Sequence, residues 1–248
     1  MPVDPPRVAL ITGGSRGIGA ATALALARGG WDIAITYRTQ RAAADEVTAA
    51  CRALGRRAIG IQADVAQPSD ITRMFDDTQS QLGPIDAFVN NAGVVSPAGR
   101  VDEYDAARLD QVLTINVRGA FLAAGEAVRR MSTAHGGAGG VIVNVSSRAA
   151  VLGSGGEYVD YAASKAAVDA LTIGLAAEVA AEGIRVVGVR PGLIETEIHA
   201  PGRLQRLGGT PPLGRPGLAT EVADAIAWLA SDEASYVTGT SLDVGGGR

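Results

Sequence analysis

The sequence predicts an α/β protein: a doubly wound, mostly parallel seven-stranded sheet with helices on both faces, in one domain over residues 1–248. Three observations lead there. Short apolar runs alternate with longer helical patterns along the whole chain, and no hairpin signal interrupts them. The runs are apolar on both alternating faces, as in Val141-Ile142-Val143-Asn144-Val145, which is the pattern of strands covered on both sides. Glycine-rich or polar turns follow four of these runs, and open parallel sheets bind ligands at the carboxyl ends of their strands.

In chain order, Arg7 to Thr12 reads as the first strand, and the turn Gly13-Gly14-Ser15-Arg16-Gly17-Ile18-Gly19 leads into a helix from Ala20 to Arg28. Trp31 to Tyr37 is the second strand, Arg41 to Leu54 the second helix, and Ala58 to Gln62 a third strand ending near Asp64. Pro68 sits where a helix favours proline, in its first turn, ahead of Ile71, Met74 and Phe75. Ile85 to Val89 is the fourth strand, ending in Asn90-Asn91-Ala92-Gly93, and one long helix is expected from about Glu103 to Met131. The fifth strand, Val141 to Val145, stops at Ser146-Ser147, and a helical pattern runs from Tyr158 through Val179. Ile184 to Val189 is the sixth strand, ending at Arg190-Pro191-Gly192. The glycine- and proline-rich segment from Ile194 to Pro212 has no period and is expected to be a lid. A helix from Thr220 to Ala230 and a strand from Ser241 to Val244 close the chain, and no linker or repeat divides it.

Composition narrows the function classes. A 47% hydrophobic content with 33 glycines fits a tightly turned core. A net charge of −4 without a basic stripe gives no footprint for nucleic acid. Cys51 stands alone, so no internal disulfide forms, and a reducing, cytoplasmic compartment is expected. The start, Met1-Pro2-Val3-Asp4-Pro5-Pro6, has no basic and apolar regions of a secretory signal, and no apolar run approaches the ~20 residues of a membrane span. His135 and His199 are too far apart in sequence to suggest a metal site.

The chemistry centres on Val141 to Lys165. On a helix, Tyr161 and Lys165 share a face, with Cβ atoms roughly 5–6 Å apart. Lys165 is also the sole lysine among 22 basic residues. The alternative is a chance lysine on a solvated face. Lowering a phenol from a pKa near 10 to about 7 takes roughly 4 kcal/mol. One positive charge ~4 Å away at an effective dielectric of ~20 supplies about that much. Desolvation takes some of that back and a cationic nicotinamide ring adds to it, so one lysine is of the right size to make this tyrosine a usable acid/base.

The glycine turn after the first strand suits a pyrophosphate at a helix N-terminus, or is simply a tight turn. After the second strand comes Tyr37-Arg38, without the carboxylate that binds a ribose 2′-hydroxyl. Arg16 and Arg38 together suit a 2′-phosphate, which predicts NADP(H) with NAD(H) possible; the alternative is two solvated arginines. Asn116, a poor helix former inside the long helix, either faces solvent or bonds backbone and water.

Taken together, these residues resemble the short-chain dehydrogenase/reductase family over nearly the whole chain. Thr12 to Gly19 matches the family's TGxxxGxG motif, Asn90 to Gly93 its NNAG motif, and Tyr161 to Lys165 its YxxxK motif. The overall look is nearest the acyl-carrier-protein ketoreductase and glucose dehydrogenase branches. The resemblance implies a Rossmann fold and a catalytic set of Asn116, Ser147, Tyr161 and Lys165. In that set Tyr161 exchanges a proton with the substrate oxygen and Ser147 hydrogen-bonds it. Lys165 lowers the tyrosine pKa and holds the nicotinamide ribose, and Asn116 supports a water-linked proton path. Ser147 is preferred to Ser146 by its place after the strand, and it stands one residue further from Tyr161 than the family usually has. The implied cofactor contacts are Gly13, Ser15, Arg16, Gly17, Ile18 and Gly19 in the turn, then Tyr37, Arg38, Asp64 and Val65. Asn91, Ala92, Gly93, Tyr161, Lys165, Pro191, Gly192, Ile194 and Thr196 complete them. No metal is implied. A homotetramer pairing the Glu103–Met131 and Tyr161–Glu182 helices is.

The function expected is reversible hydride transfer between NADP(H) and a carbonyl or secondary alcohol. The alternative is a non-catalytic NAD(P)-binding sensor or scaffold on the same fold. Gly153, Ser154 and Val95 are small or apolar and disfavour a highly charged substrate, though His199 and Arg203 either reach the pocket or are solvated.

Overall fold

Seven of the apolar runs pair into one wholly parallel sheet. The strands are β1 (Val8–Ile11), β2 (Asp32–Tyr37), β3 (Ala58–Gln62), β4 (Ala87–Asn90), β5 (Gly140–Val145), β6 (Ile184–Pro191) and β9 (Ser241–Val244). Their spatial order is β3-β2-β1-β4-β5-β6-β9. The computed structural model describes residues 6–248, so the expectation about a secretory start falls largely on residues 1–5, outside that range. Two-residue strands β7 (Ile194–Glu195) and β8 (Gly217–Leu218) form a separate parallel pair that clips the lid segment.

Side chains alternate along each strand, and the two faces bury different helices. Ala9, Ile11, Ile33, Ile35, Val143 and Val187 face one core. It is closed by α1 (Gly17–Arg28), α2 (Arg41–Ala53) and α9 (Ala219–Ala230). Leu10, Ala34, Phe88, Ile142 and Val186 face the other. That side is covered by α3 (Pro68–Leu82), α5 (Ala120–Met131) and α7 (Val159–Val179). A polar seam crosses the second layer. Asn90 donates to Asn144 at 3.1 Å and to the Ala120 carbonyl at 3.0 Å, and Asn144 donates to Thr172 at 3.0 Å. The seam ties β4, β5, α5 and α7 together with every buried group partnered, so it fixes register without a desolvation penalty.

The long helix expected over Glu103–Met131 is broken. Helix α4 (Ala106–Leu113) passes through one π-helical stretch, Thr114–Gly119, before α5. Gly119 shows one reason for the irregularity: a Cβ there would lie 2.7 Å from the Val65 carbonyl, so the helix runs against the loop after β3. Such π stretches concentrate at functional sites. The lid, expected without regular structure, contains β7 and the short helix α8 (Arg203–Leu207).

The connections reverse direction between β1 and β4. The crevice at the carboxyl ends of these two strands is the switch point where such sheets bind ligands.

Candidate active site

At the switch point the floor is backbone. A Cβ on Gly14 would stand 2.5 Å from the Ile35 Cβ, and one on Gly19 would stand 2.4 Å from the Gly13 carbonyl. Gly13 and Gly17 adopt φ of 65° and 53°, which glycine alone takes without strain. The Thr12 hydroxyl accepts from the N–H groups of Asn91 and Ala92 at 2.9 and 3.0 Å, and the Asn91 amide donates to the Thr12 carbonyl at 2.8 Å. Thr12, a residue outside the expected set, thus knits the end of β1 to the loop after β4. The resulting cleft, about 250 Å3, takes in all the expected cofactor residues from Gly13 to Gly93, together with Thr196. Arg16 and Arg38 are exposed at its rim, and no carboxylate follows β2. Bare backbone at a helix N-terminus beside two guanidiniums fits a dinucleotide with an additional phosphate.

A second cleft of about 630 Å3 adjoins the first and contains Ser147, Tyr161, Lys165, Pro191, Gly192 and Ile194. Strand β5 delivers Ser147. Helix α7 delivers Tyr161 and Lys165 from successive turns, with the Lys165 ammonium 5.8 Å from the Tyr161 ring centre. Ser146 is buried, and its hydroxyl donates to the Lys165 carbonyl, which anchors α7 to the end of β5. Ser147 is half-buried, its hydroxyl accepts from the Ala149 N–H at 3.1 Å, and it lines the same cleft as Tyr161. Ser146 lines that cleft too, but its hydroxyl is spent on the Lys165 carbonyl. Between Ser147 and Tyr161 the chain turns where Gly153, Ser154 and Gly156 all take positive φ.

Asn116 is buried in the π stretch, and its side chain is fully engaged. Its Oδ1 accepts from the Val94 N–H at 2.8 Å, and its Nδ2 donates to the Val94 carbonyl at 2.8 Å and to Ser164 at 3.0 Å. It therefore positions the loop after β4 against α7. A Cβ on Gly93 would meet Asn116 Oδ1 at 3.3 Å and Lys165 Nζ at 3.4 Å, so a side chain there would crowd both groups.

The electrostatics depart from expectation. Burial raises the Tyr161 pKa, and the opposing effects come from the Ser147 hydroxyl and the Arg203 charge; Lys165 is not among them. Burial also pushes Lys165 down to about 8, against a small upward pull from Asp169. Its ammonium donates to the Val145 carbonyl at 2.7 Å. Desolvation of both groups outweighs the attraction that a simple charge estimate credits to the pair.

Of the two alternatives for His199 and Arg203, reaching the pocket is the one seen: both residues line the second cleft, and at its mouth Arg203 and Arg206 from α8 reach across to Glu157. Arg206, Glu157, Arg148 and Arg248 line this cleft without having been expected there. Only the fold brings a lid helix and the last residue of the chain to one opening. Gly192 packs on Gly245, where an added Cβ would lie 2.6 Å from the Gly245 Cα; the terminal glycine run serves that contact. Among the described residues there is no cluster suited to a metal ion, and no helix is long and apolar enough to cross a membrane.

Comparison with known proteins agrees with this geometry. A family model described as enoyl-(acyl carrier protein) reductase matches residues 13–248. An uncharacterised oxidoreductase of Escherichia coli, YgfF, is 51% identical over 97% of this chain and 99% of its own. The cis-4-hydroxycyclohexanecarboxylate dehydrogenase of Sinomonas cyclohexanicum is 40% identical over 97% and 96%. A short-chain dehydrogenase of Burkholderia cenocepacia, solved in complex with NADP, superposes with a TM-score of 0.91 at 37% identity over 98% of both chains. The chain belongs to the short-chain dehydrogenase/reductase family of oxidoreductases.

Proposed function

We propose that this protein catalyses reversible hydride transfer between NADP(H) and a carbonyl compound or the corresponding secondary alcohol. One observation carries the reading: Ser147, Tyr161 and Lys165 converge in a cleft that opens directly onto the glycine cradle. Two relatives support it by their names, one as a dehydrogenase of a ring hydroxyl and one as a structure holding NADP.

The Ser147 and Tyr161 hydroxyls hold the substrate oxygen between them. On reduction Tyr161 gives that oxygen its proton, and on oxidation it takes the proton back. A raised tyrosine pKa keeps the phenol protonated at neutral pH, the state needed for the reductive direction. Lys165 offers an ammonium beside the cradle, suited to a ribose hydroxyl and to returning a proton to Tyr161. Asn116 holds the loop after β4 in register with α7. The nicotinamide, when bound, supplies or accepts the hydride at the strand ends.

Arg16 and Arg38 favour the 2′-phosphate of NADP(H) over the bare hydroxyl of NAD(H). The protein works in the cytoplasm as a homotetramer; exposed Leu109, Leu113, Phe121 and Ile173 on α4, α5 and α7 supply apolar surface for subunit pairing. Light scattering tests the assembly. The test of function is NADPH oxidation against a panel of ketones and aldehydes, with NADPH and NADH titrated in parallel. Turnover and at least tenfold tighter NADPH, ~1.4 kcal/mol, support the reading. Equal affinity removes the 2′-phosphate role, and tight binding without turnover of any carbonyl favours a nucleotide sensor.

A further inference from the structure

The second cleft joins a cluster of charged side chains to apolar ones, Val95, Leu152 and Leu193 among them. Glu157, half-buried, has both carboxylate oxygens taken. Arg203 donates to one through Nε and Nη2, at 3.3 and 2.9 Å, and Arg206 donates to the other at 2.8 Å. A latch for the lid requires one such pair; here two guanidiniums share one carboxylate, which leaves a unit of positive charge at the opening.

Arg203 is also held in a fixed plane. Its guanidinium lies 5.2 Å from the Tyr158 ring centre, and its Nη1 donates to His199 Nδ1 at 3.1 Å. That bond sets the histidine tautomer: Nε2 carries the proton and donates to the Ile194 carbonyl at 2.8 Å. Burial and the neighbouring Arg203 charge both lower the His199 pKa, so the ring stays neutral and keeps Nδ1 as the acceptor for Arg203. Arg203 is only 15% exposed, whereas Arg206 is 62% exposed. Apart from its single bond to Glu157, the Arg206 side chain makes no hydrogen bond among the described residues, so most of its fork is free. The resting structure already seats a carboxylate against these two arginines.

We propose that the mouth formed by Arg203 and Arg206 binds a carboxylate carried by the substrate at the end remote from its reacting carbonyl, so that the substrates are oxo acids or hydroxy acids. The substrate carboxylate takes the free donors of Arg206 and displaces part of the Glu157 contact on Arg203, closing α8 over the bound molecule. A planar, two-oxygen anion matches the guanidinium fork in a way that neutral or spherical groups do not. Val95, Ala149, Leu152, Leu193 and Ile198 in the same cleft offer apolar surface to the hydrocarbon joining carboxylate to carbonyl. This assignment rests on the carbonyl-reductase reading, and its test separates the two.

The experiment compares kcat/KM with NADPH for the oxo acids from 4-oxopentanoate to 7-oxooctanoate against their methyl esters, at constant ionic strength. The expected result is an acid preferred at least tenfold over its ester at one chain length, through KM. In Arg206→Gln that preference falls to threefold or less, and Arg206→Lys restores part of it. Esters turned over as well as acids at every length overturn the inference and leave the reductase reading standing. If no carbonyl is turned over, that reading fails, and calorimetry on the cofactor-free protein decides the anion site. Hexanoate must then bind at least tenfold tighter than hexanamide, and the difference must disappear in Arg206→Gln; equal binding of the two overturns it.

Discussion

The two clefts share one edge of the sheet but are built from different material. The cofactor cleft is made of backbone: Gly14 and Gly19 leave no room for a Cβ, and Thr12 and Asn91 lock two strand ends together through main-chain groups. The substrate cleft is made of side chains, with the phenol, ammonium and hydroxyl on β5 and α7 and the guanidiniums on a lid. A backbone surface suits one rigid ligand part and tolerates little change. A side-chain surface can be re-aimed by substitution, so it is where relatives of one fold come to accept different molecules.

The sharpest break in that comparison is Tyr161→Phe. Removing one oxygen from the side-chain cleft is expected to lower kcat by about 10²–10⁴ while NADPH affinity stays within about threefold. Stopped-flow turnover with parallel fluorescence titration checks it. If binding falls with turnover, the two clefts are not separable in the way their construction implies.

Next in size is the buried pair under the same helix. The Asp160 carboxylate is buried and accepts from Arg108 Nε at 2.7 Å, and its Oδ1 also accepts from the Tyr161 N–H at 2.9 Å. Burial pushes its pKa up, but the Arg108 hydrogen bonds and the Tyr161 N–H outweigh that and hold it below the usual carboxylate range. Asp160→Ala leaves Arg108 without its partner and is expected to cost about 3–5 kcal/mol of unfolding free energy by urea titration. Because the folded pKa is depressed, the wild-type advantage over the variant is complete at neutral pH. It declines as pH falls below the ordinary carboxylate range. An advantage that persists unchanged at pH 3 contradicts the ion pair.

How far the two clefts were legible in the sequence follows from their construction. Where backbone must pass close to a ligand or another strand, only glycine or a small residue fits. Gly13 to Gly19 and Asn90 to Gly93 therefore stand out as patterns, and every cofactor residue expected up to Gly93 lines the cleft. Tyr161 and Lys165 were legible for a second reason: a helix fixes residues four apart on one face. The mouth obeys neither rule. Arg206, Glu157 and Arg248 come from separate segments with no fixed spacing, and in a chain where 21 of 22 basic residues are arginine a further arginine draws no notice; Arg203 was legible only as one of two alternatives. The π stretch was hidden likewise, since propensity reads Thr114–Gly119 as ordinary helix; only the misfit of Asn116 hinted at it. The extent of burial at Tyr161 and Lys165 was not legible either: spacing places the two groups together, and only the fold shows burial raising the phenol and lowering the ammonium.

The Lys165 ammonium offers a measurement of that burial. Its pKa is about 8 in the folded protein against 10.5 for a free lysine, so between those values the unfolded chain binds more protons than the native one. Stability must rise with pH across that window. Against Lys165→Met, which does not titrate, the wild type is expected to gain about 2–3 kcal/mol from pH 7 to pH 10. Paired urea titrations of the cofactor-free proteins read the difference directly, with other groups cancelling between them. A flat or falling difference means the ammonium is not desolvated and the simple attraction to Tyr161 stands after all.

The smallest effect belongs to the backbone cleft and tests its independence. In Gly19→Ala the new methyl would lie 2.4 Å from the Gly13 carbonyl and 2.7 Å from Asn91 Nδ2, so the turn must shift. Overpacking of that kind costs about 1–3 kcal/mol, and at the cradle it is expected as at least a tenfold weaker NADPH affinity. Ser147, Tyr161 and Lys165 are not among the groups nearest that methyl, so turnover at saturating NADPH should stay within about threefold of wild type. A variant that binds NADPH normally shows that the turn yields and that the close approach at Gly19 is not required. One that binds weakly and also loses turnover at saturation shows that the strand-end lattice of Thr12 and Asn91 carries the disturbance from one cleft into the other.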